Sequence, residues 1–483
     1  MKKTSIILTL AAMLVAMVSC TKEKLPVSGK FTMTVNADKG TRTTKNLSLD
    51  GNTLNALWEA GESVTVTKGE VCLGFLYAVS DGTSTTLTGT IEGEIAENDI
   101  LTLEFLSEFY DQQEGTLEFI ATHSDYAKAE VRITSISGGS VTTTDAVFAN
   151  QQAIVKFTLQ TMSGVNLSAS QLVVSVDGTD YTVDPDNDIN VLYVALPGFS
   201  NKDVTLTATV VVEGEEEDTE YEYTKTVSNV TFANGQYYTI TARLGKIIEL
   251  SSLSGNYEAQ NGDILTGTLA GNYKISVADG ATVTLRDATI TCLGETTDFA
   301  GITCPGNATI VLEGTNNVIG GGGTENVHRN PGIYIAPNYT LTIQGSGTLN
   351  VSSNTSANSG VGAGIGGAWA NSDAGNCGNI VINGGTINAT GGYGCAGIGA
   401  GYGRTCQNIT IAGGSVTATG GTNAAGIGSG FSGYGSNSSC GDISISDGTV
   451  NASGGSHATG IGTGYANGAT NNTCGLLASA EEP

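Results

Sequence analysis

A Gly-Ile pair recurs through the C-terminal half of the chain, at Gly301-Ile302, Gly332-Ile333, Gly364-Ile365, Gly397-Ile398, Gly426-Ile427 and Gly460-Ile461. The intervals are 31, 32, 33, 29 and 34 residues. A repeat of about 30 residues is one supersecondary unit that hides its apolar face only by stacking on the next copy. Between the pairs runs a second element with alternating apolar positions: Val283/Leu285, Ile310/Leu312, Leu341/Ile343, Ile380/Ile382, Ile409/Ile411 and Ile443/Ile445. A third is centred on Ile290, Val318, Leu349, Ile387, Val416 and Val450. Three short strands per repeat, with Gly or Asn at the corners, predict the rungs of a parallel β-helix. A hexapeptide helix needs a strict six-residue period and a propeller blade needs four antiparallel strands, and neither fits. The general crossover preference makes the expected helix right-handed.

Composition divides the 483 residues at the same place, since 50 of the 68 glycines follow residue 250. The first half instead alternates apolar and polar residues in short runs, such as Ser63 to Thr67, Leu101 to Phe105 and Ala153 to Leu159, broken by turns such as Asp177-Gly178. Such a pattern predicts antiparallel sandwiches. The fold class expected is all-β: tandem β-sandwiches followed by a right-handed parallel β-helix. The divisions are a connector at 20–30, sandwiches at 31–147 and 148–247, a second connector at 248–262, β-helix repeats at 263–475 and a tail at 476–483. With 20 Lys+Arg against 46 Asp+Glu, the net charge of -26 repels phosphate backbones, so nucleic acid is not an expected partner. Three His and nine Cys without CxxC spacing predict no structural zinc, and no metal or cofactor is expected.

Two ladders lie on the repeat. Cys377, Cys406, Cys440 and Cys474 each precede the second element by three residues and should stack on successive rungs, either as disulfides or as buried thiols. Cys292 and Cys304 flank the first Gly-Ile pair and could bridge. Trp369, Tyr402, Phe431 and Tyr465 each follow a late Gly-Ile pair by four residues. This aromatic column is either a glycan platform, with a pitch of about 4.8 Å, or an internal packing stack. Strand alternation puts the position on the inward side and favours packing. The string Gly397 to Gly403 imitates a phosphate-binding glycine loop, but it repeats from rung to rung with no helix behind it, so its glycines are read as tight corners.

At the N-terminus, Lys2 and Lys3 precede an apolar run from Ile6 to Val18 that is too short to span a bilayer comfortably. Val18-Ser19-Cys20 follows and resembles a bacterial lipobox, which makes 1–19 a lipoprotein signal peptide and Cys20 the lipidated residue. The acyl chains at Cys20 would be the membrane attachment. The expected location is the cell outer membrane, lipid-anchored and exposed at the surface.

The lipobox is followed by Thr41-Arg42-Thr43, Trp58-Glu-Ala-Gly-Glu-Ser-Val64, Asn150-Gln-Gln-Ala-Ile-Val-Lys-Phe157 and Gly235-Gln-Tyr-Tyr-Thr-Ile-Thr-Ala-Arg-Leu244. In that order these segments resemble the fimbrillin-like family of exported lipoproteins, over residues 20 to 247. The resemblance implies tandem β-sandwiches, a fimbria-associated role and, in polymerising members, proteolytic maturation after an Arg that matches Arg42. Polymerising subunits end in a donor strand, whereas here 233 residues follow position 250. The repeats themselves resemble adhesin and carbohydrate-binding β-helix repeats, including a calcium-assisted family in rung pattern alone. The recurring Asp positions of that family are missing, so no calcium site transfers.

Between 281 and 475 the acids are Asp287, Glu295, Asp298, Glu313, Glu325, Asp373, Asp442 and Asp447, and they form no adjacent pair suited to acid–base work on a glycan. The mixed cluster Glu325-Asn-Val-His328-Arg329 reads as a solvated rung loop, and no Ser/His/Asp order is recognisable. The expected function is therefore non-enzymatic: adhesion or structure at the cell surface. Carbohydrate binding is the alternative, and polysaccharide degradation ranks last. Expected partners are the membrane through the lipid, and fimbrial subunits or host or dietary glycans.

Overall fold

The computed structural model describes residues 26–39, 48–50, 53–55, 57–106, 108–213, 218–292, 299–321, 330–354, 362–369, 375–433, 437–468 and 472–479. Cys20, Arg42 and the Glu325 to Arg329 cluster lie outside these residues. The chain is all-β and forms two compact units. One comprises residues 1–156, 193–200 and 231–238, and the other residues 157–192, 201–230 and 239–483.

In the first unit, seven strands are β1 (Val27–Asp38), β2 (Ser63–Lys68), β3 (Val71–Ala78), β4 (Ser84–Ile95), β5 (Ile100–Phe105), β6 (Ala127–Ser137) and β7 (Ser140–Thr143). They pair in the order β1-β4-β3-β2-β5-β6-β7, and β7 returns to β1 in parallel, with Met33 opposite Val141. Hydrogen bonding thus closes the sandwich on itself and removes two edges. Period-2 alternation decides which face is inside: on β1, Phe31, Met33, Val35 and Ala37 are buried, while Thr32, Thr34 and Asn36 face out. Leu76, Leu87, Ile91, Leu103 and Ile133 complete the core around Trp58, each contributing roughly 1.5–3 kcal/mol by burial. Segment 193–200 joins this unit through the buried Gln113, whose Nε2 donates to the Ala195 carbonyl at 2.9 Å and whose Oε1 accepts from Ala195 N–H at 2.7 Å.

The second unit opens with antiparallel pairing of Gln171–Val176 with Thr179–Val183 across the Asp177-Gly178 turn. Both turn residues have positive φ, 46° and 84°, as a two-residue hairpin of this twist requires. Strand Tyr237–Glu249 has two kinds of partner. At Gly245 and Lys246 it is the antiparallel partner of Thr224 and Tyr223, and the next three residues, Ile247, Ile248 and Glu249, stack in parallel on Ile264, Leu265 and Thr266. One continuous strand is therefore both the closing strand of the sandwich and the floor beneath the first rung.

The rungs are those of a parallel β-helix. The Gly-Ile strands build an eight-stranded parallel sheet from Tyr257–Ala259 to Ile461–Gly462. The second and third elements build the other faces, and one aliphatic cluster runs between them from Ile248 to Ile443. The glycine of each pair is demanded by stacking. The Ile398 N–H donates to the Gly426 carbonyl at 2.9 Å, and a Cβ on Gly397 would lie 2.8 Å from that same oxygen.

One register differs from the sequence expectation. Ile310 pairs with Ile343 and Ala308 with Leu341, while Val318 pairs with Val351, so the rungs are offset by two residues from the equivalence read in sequence. An offset of two keeps every side chain on its face. It also puts Asn316, fully buried, opposite Leu349. Asn316 fits there because its Oδ1 accepts from Ala288 N–H at 2.9 Å and its Nδ2 donates to the Glu313 and Thr348 carbonyls at 3.0 and 3.2 Å. A polar core residue is tolerated when its hydrogen bonds are met, and apolar alternation alone does not reveal it.

Candidate functional site

Past each late Gly-Ile pair the chain turns sharply, because the next glycine takes a conformation open to few other residues. Gly399 has φ of +132°, and a Cβ there would lie 2.1 Å from the Gly428 carbonyl. The strand ends, so position +4 does not continue the inward alternation assumed from sequence. It falls instead on the corner before the short strand Thr405–Cys406. Here Tyr402, Phe431 and Tyr465 come together as a column. Tyr402 and Phe431 meet edge to face at 5.1 Å and 77°, and Phe431 stacks on Tyr465 at 5.9 Å and 4°. Both distances suit favourable aromatic pairing. Exposure differs along the column: Phe431 is 6% exposed, Tyr402 and Trp369 are half-buried, and Tyr465 is 38% exposed. Packing and presentation are thus divided between neighbouring rungs. A second layer supports the column: Phe431 N–H donates to the Gly394 carbonyl at 2.8 Å, Tyr465 N–H donates to the Asn423 carbonyl at 2.8 Å, and His457 lies 5.2 Å from the Tyr465 ring.

Cys377, Cys406, Cys440 and Cys474 lie opposite one another on successive rungs. All four are free thiols in this structure, as are Cys292 and Cys304, the second of the two alternatives that the sequence leaves. For the ladder the reason is geometric. In-register copies are related by translation along the stack, so their Cβ vectors run parallel at about 4.8 Å, beyond the roughly 3.5–4.5 Å that a disulfide spans. Their hydrogens go to carbonyls instead, Cys377 to Gly399 at 3.5 Å and Cys406 to Gly378 at 3.6 Å. Burial pushes Cys406 well above the ordinary thiol range, and the same cause lifts Cys292 to about 11 and Cys304 to about 12. Thiols held protonated in this way are poor nucleophiles. Among the described residues no group of three or more His, Cys, Asp or Glu is placed to hold a metal ion.

Among the described residues, several rung carboxylates are engaged in corner bonds. Asp279 accepts from Asn307 N–H, Asp287 from Thr315 N–H and Asp442 from Leu476 N–H, each at 2.8 Å. Glu313 pairs with Arg286 on the adjacent rung at 2.7 Å. An outward asparagine ladder runs parallel to these corners, Asn388 Nδ2 donating to Asn350 Oδ1 at 2.9 Å and Asn350 Nδ2 to Asn317 Oδ1 at 3.0 Å.

Sequence reasoning missed a buried cation in the first unit. Lys39, 4% exposed, pairs with Glu62 at 2.6 Å and lies 4.1 Å from the ring centres of both Trp58 and Phe105. Burial lowers its pKa, against the opposing pull of Glu62. Trp58 and Glu62 belong to the segment Trp58 to Val64 quoted above for its resemblance, so the signal was present as a motif without a role. The motif clamps the end of β1, three residues before Arg42.

Fold and repeat together define an all-β protein whose sandwich strand continues into a parallel β-helix. A family model described as a beta helix repeat matches residues 380–402, 409–431 and 443–465, and the three matches end on Tyr402, Phe431 and Tyr465. Structural neighbours over about 45% of the chain are fimbrial assembly and candidate cell adhesion proteins. A fimbrial assembly protein from Parabacteroides distasonis is 12% identical, over 45% of this chain and 92% of its own, with a TM-score of 0.26. A candidate cell adhesion protein from Bacteroides uniformis is 13% identical, over 44% of this chain and 95% of its own, at 0.27. The shaft pilin SpaA from Lactobacillus rhamnosus GG is 10% identical, over 46% of this chain and 100% of its own, at 0.19. No curated protein matches the chain in sequence.

Proposed function

We propose that this chain is a surface lipoprotein, anchored through Cys20, in which sandwiches carry a β-helix with an adhesive or structural, non-catalytic role in a fimbria-associated setting. The observation that carries the reading is strand Tyr237–Glu249, which belongs at once to the sandwich and to the floor of the first rung. Such a joint extends the rungs from the sandwich through hydrogen-bonded sheet instead of a linker, as a display or spacer element requires. Rung carboxylates committed to corner bonds favour a structural use of those groups over acid–base chemistry. Carbohydrate binding along the aromatic column is the second reading, supported by the 38% exposure of Tyr465 at its end.

The test is cellular. External protease should strip the protein from intact cells, and Cys20→Ala should move it from the membrane to the soluble fraction. Membrane retention of the variant would overturn the anchor, and full protection from protease would overturn surface display. N-terminal sequencing decides maturation: a chain beginning after Arg42 supports assembly with fimbrial subunits, and lipidated Cys20 alone leaves a non-polymerising lipoprotein.

A further inference from the structure

The outer face of the first unit carries aromatic side chains that its core does not use. On β3 alternation buries Leu76 and turns Phe75 and Tyr77 outward, 49% and 50% exposed. Large aromatics left in water on a sheet face call for an explanation, because a contiguous apolar patch marks an interaction site more often than chance. Their neighbours are hydroxyls. Phe75 lies between Thr65 and Thr90, and Tyr77 between Ser63 and Thr88, directly opposite on the flanking strands. Ser63 and Thr65 also line an open depression of about 400 Å³, whose other walls are Leu106, Phe109, Thr122 and His123. A volume of that order falls in the small-ligand range of roughly 300–1,000 Å³.

The imidazole is held in place. His123 stacks on Phe119 at 4.4 Å and 16°, and its Nδ1 lies 2.7 Å from Thr122 Oγ1 and 3.3 Å from the Phe119 carbonyl. These contacts occupy Nδ1 and leave Nε2 as the ring atom for a ligand. One flanking charge is already paired: Glu104, opposite Thr65 on β5, binds Lys128 at 3.0 Å. Two exposed rings, hydroxyl rows on either side, a fixed imidazole and a paired-off charge are complementary to one ligand chemistry. Sugar C–H faces lie on aromatic rings, and sugar hydroxyls exchange hydrogen bonds with Ser, Thr and His.

We propose that Phe75 and Tyr77, with the adjoining depression at Ser63, Thr65, Phe109 and His123, form a binding site for a neutral saccharide. The site is separate from the aromatic column of the β-helix and does not depend on it.

The full chain, purified in detergent, is tested by saturation-transfer NMR against cellobiose, maltose, lactose and N,N′-diacetylchitobiose, with a sulfated heparin disaccharide as the acidic control. At least one neutral disaccharide should bind. Phe75→Ala/Tyr77→Ala should weaken that binding at least tenfold with an unchanged melting temperature, because both rings stand on the exposed face outside the core. Phe75→Tyr/Tyr77→Phe, which keeps both rings, should retain it. The proposal is overturned if no neutral disaccharide binds, if the sulfated disaccharide alone binds, or if binding survives the double alanine variant. Loss on Tyr465→Ala with retention in the double variant would place glycan recognition on the β-helix column instead.

Discussion

Phe431→Ala separates the two roles of the aromatic column. The ring is 6% exposed and sits between Tyr402 at 5.1 Å and Tyr465 at 5.9 Å. Truncating a buried aromatic costs about 3–5 kcal/mol through lost burial and the cavity left behind. In a stacked solenoid that loss is felt at the local interface between rungs before it reaches the whole molecule. The rung above has little reserve, since its inward residues Ile445, Val450 and Ile461 are only half-buried. The opening free energy of the last rungs should fall by the full amount, which raises amide exchange there by roughly two to three and a half orders of magnitude. Hydrogen-exchange mass spectrometry reads this directly. Peptides within 443–479 should exchange faster, and those within 308–352 should not change. Unchanged exchange and melting would refute the packing role, and if glycan binding were lost as well the column would be a platform.

The Lys39–Glu62 clamp predicts a non-additive cycle: Lys39→Met leaves a nearly buried Glu62 unpaired and should cost about 3–5 kcal/mol, while Lys39→Met/Glu62→Gln recovers most of it. Urea denaturation followed by tryptophan fluorescence in a Trp369→Phe background, which leaves Trp58 as the reporter, measures both, and a single variant within 0.5 kcal/mol of wild type, roughly the size of a surface effect, would remove the clamp. A chain beginning at residue 250 lacks Ile247 to Glu249 and exposes the edge of strand Ile264–Thr268, so it should aggregate where one beginning at residue 26, which keeps both units, stays soluble. Equal solubility by size-exclusion chromatography would show that the floor strand is dispensable. Iodoacetamide at pH 8 should label the exposed Cys72 well before Cys292, Cys304 and Cys406, whose burial keeps them protonated. Peptide mapping that finds Cys406 labelled first would contradict the stacked, buried ladder.

The repeat architecture was legible without coordinates, because each rung buries its apolar face by the same interaction and so must repeat the same residues. Gly397, Ile398 and Ile409 recur for that reason, and period-2 alternation marks the core of β1 equally well. The Asp177-Gly178 hairpin was legible too, since positive φ at both positions narrows the choice of residues. Other features depend on distances that run across the chain. The two-residue offset at Asn316 depends on three backbone partners, one of them 32 residues away. Phe431 and Tyr465 follow the same glycine turn, at Gly428 and Gly462, yet are 6% and 38% exposed, a difference set by the rungs that flank each and not by strand alternation. Lys39 meets Trp58 and Glu62 only once the sheet has closed, and Phe75 meets Thr65 and Thr90 only across strands. Local periodicity determines which face a side chain takes within its strand. Tertiary closure decides what that side chain then touches, because contact energies depend on spatial neighbours that sequence order does not specify.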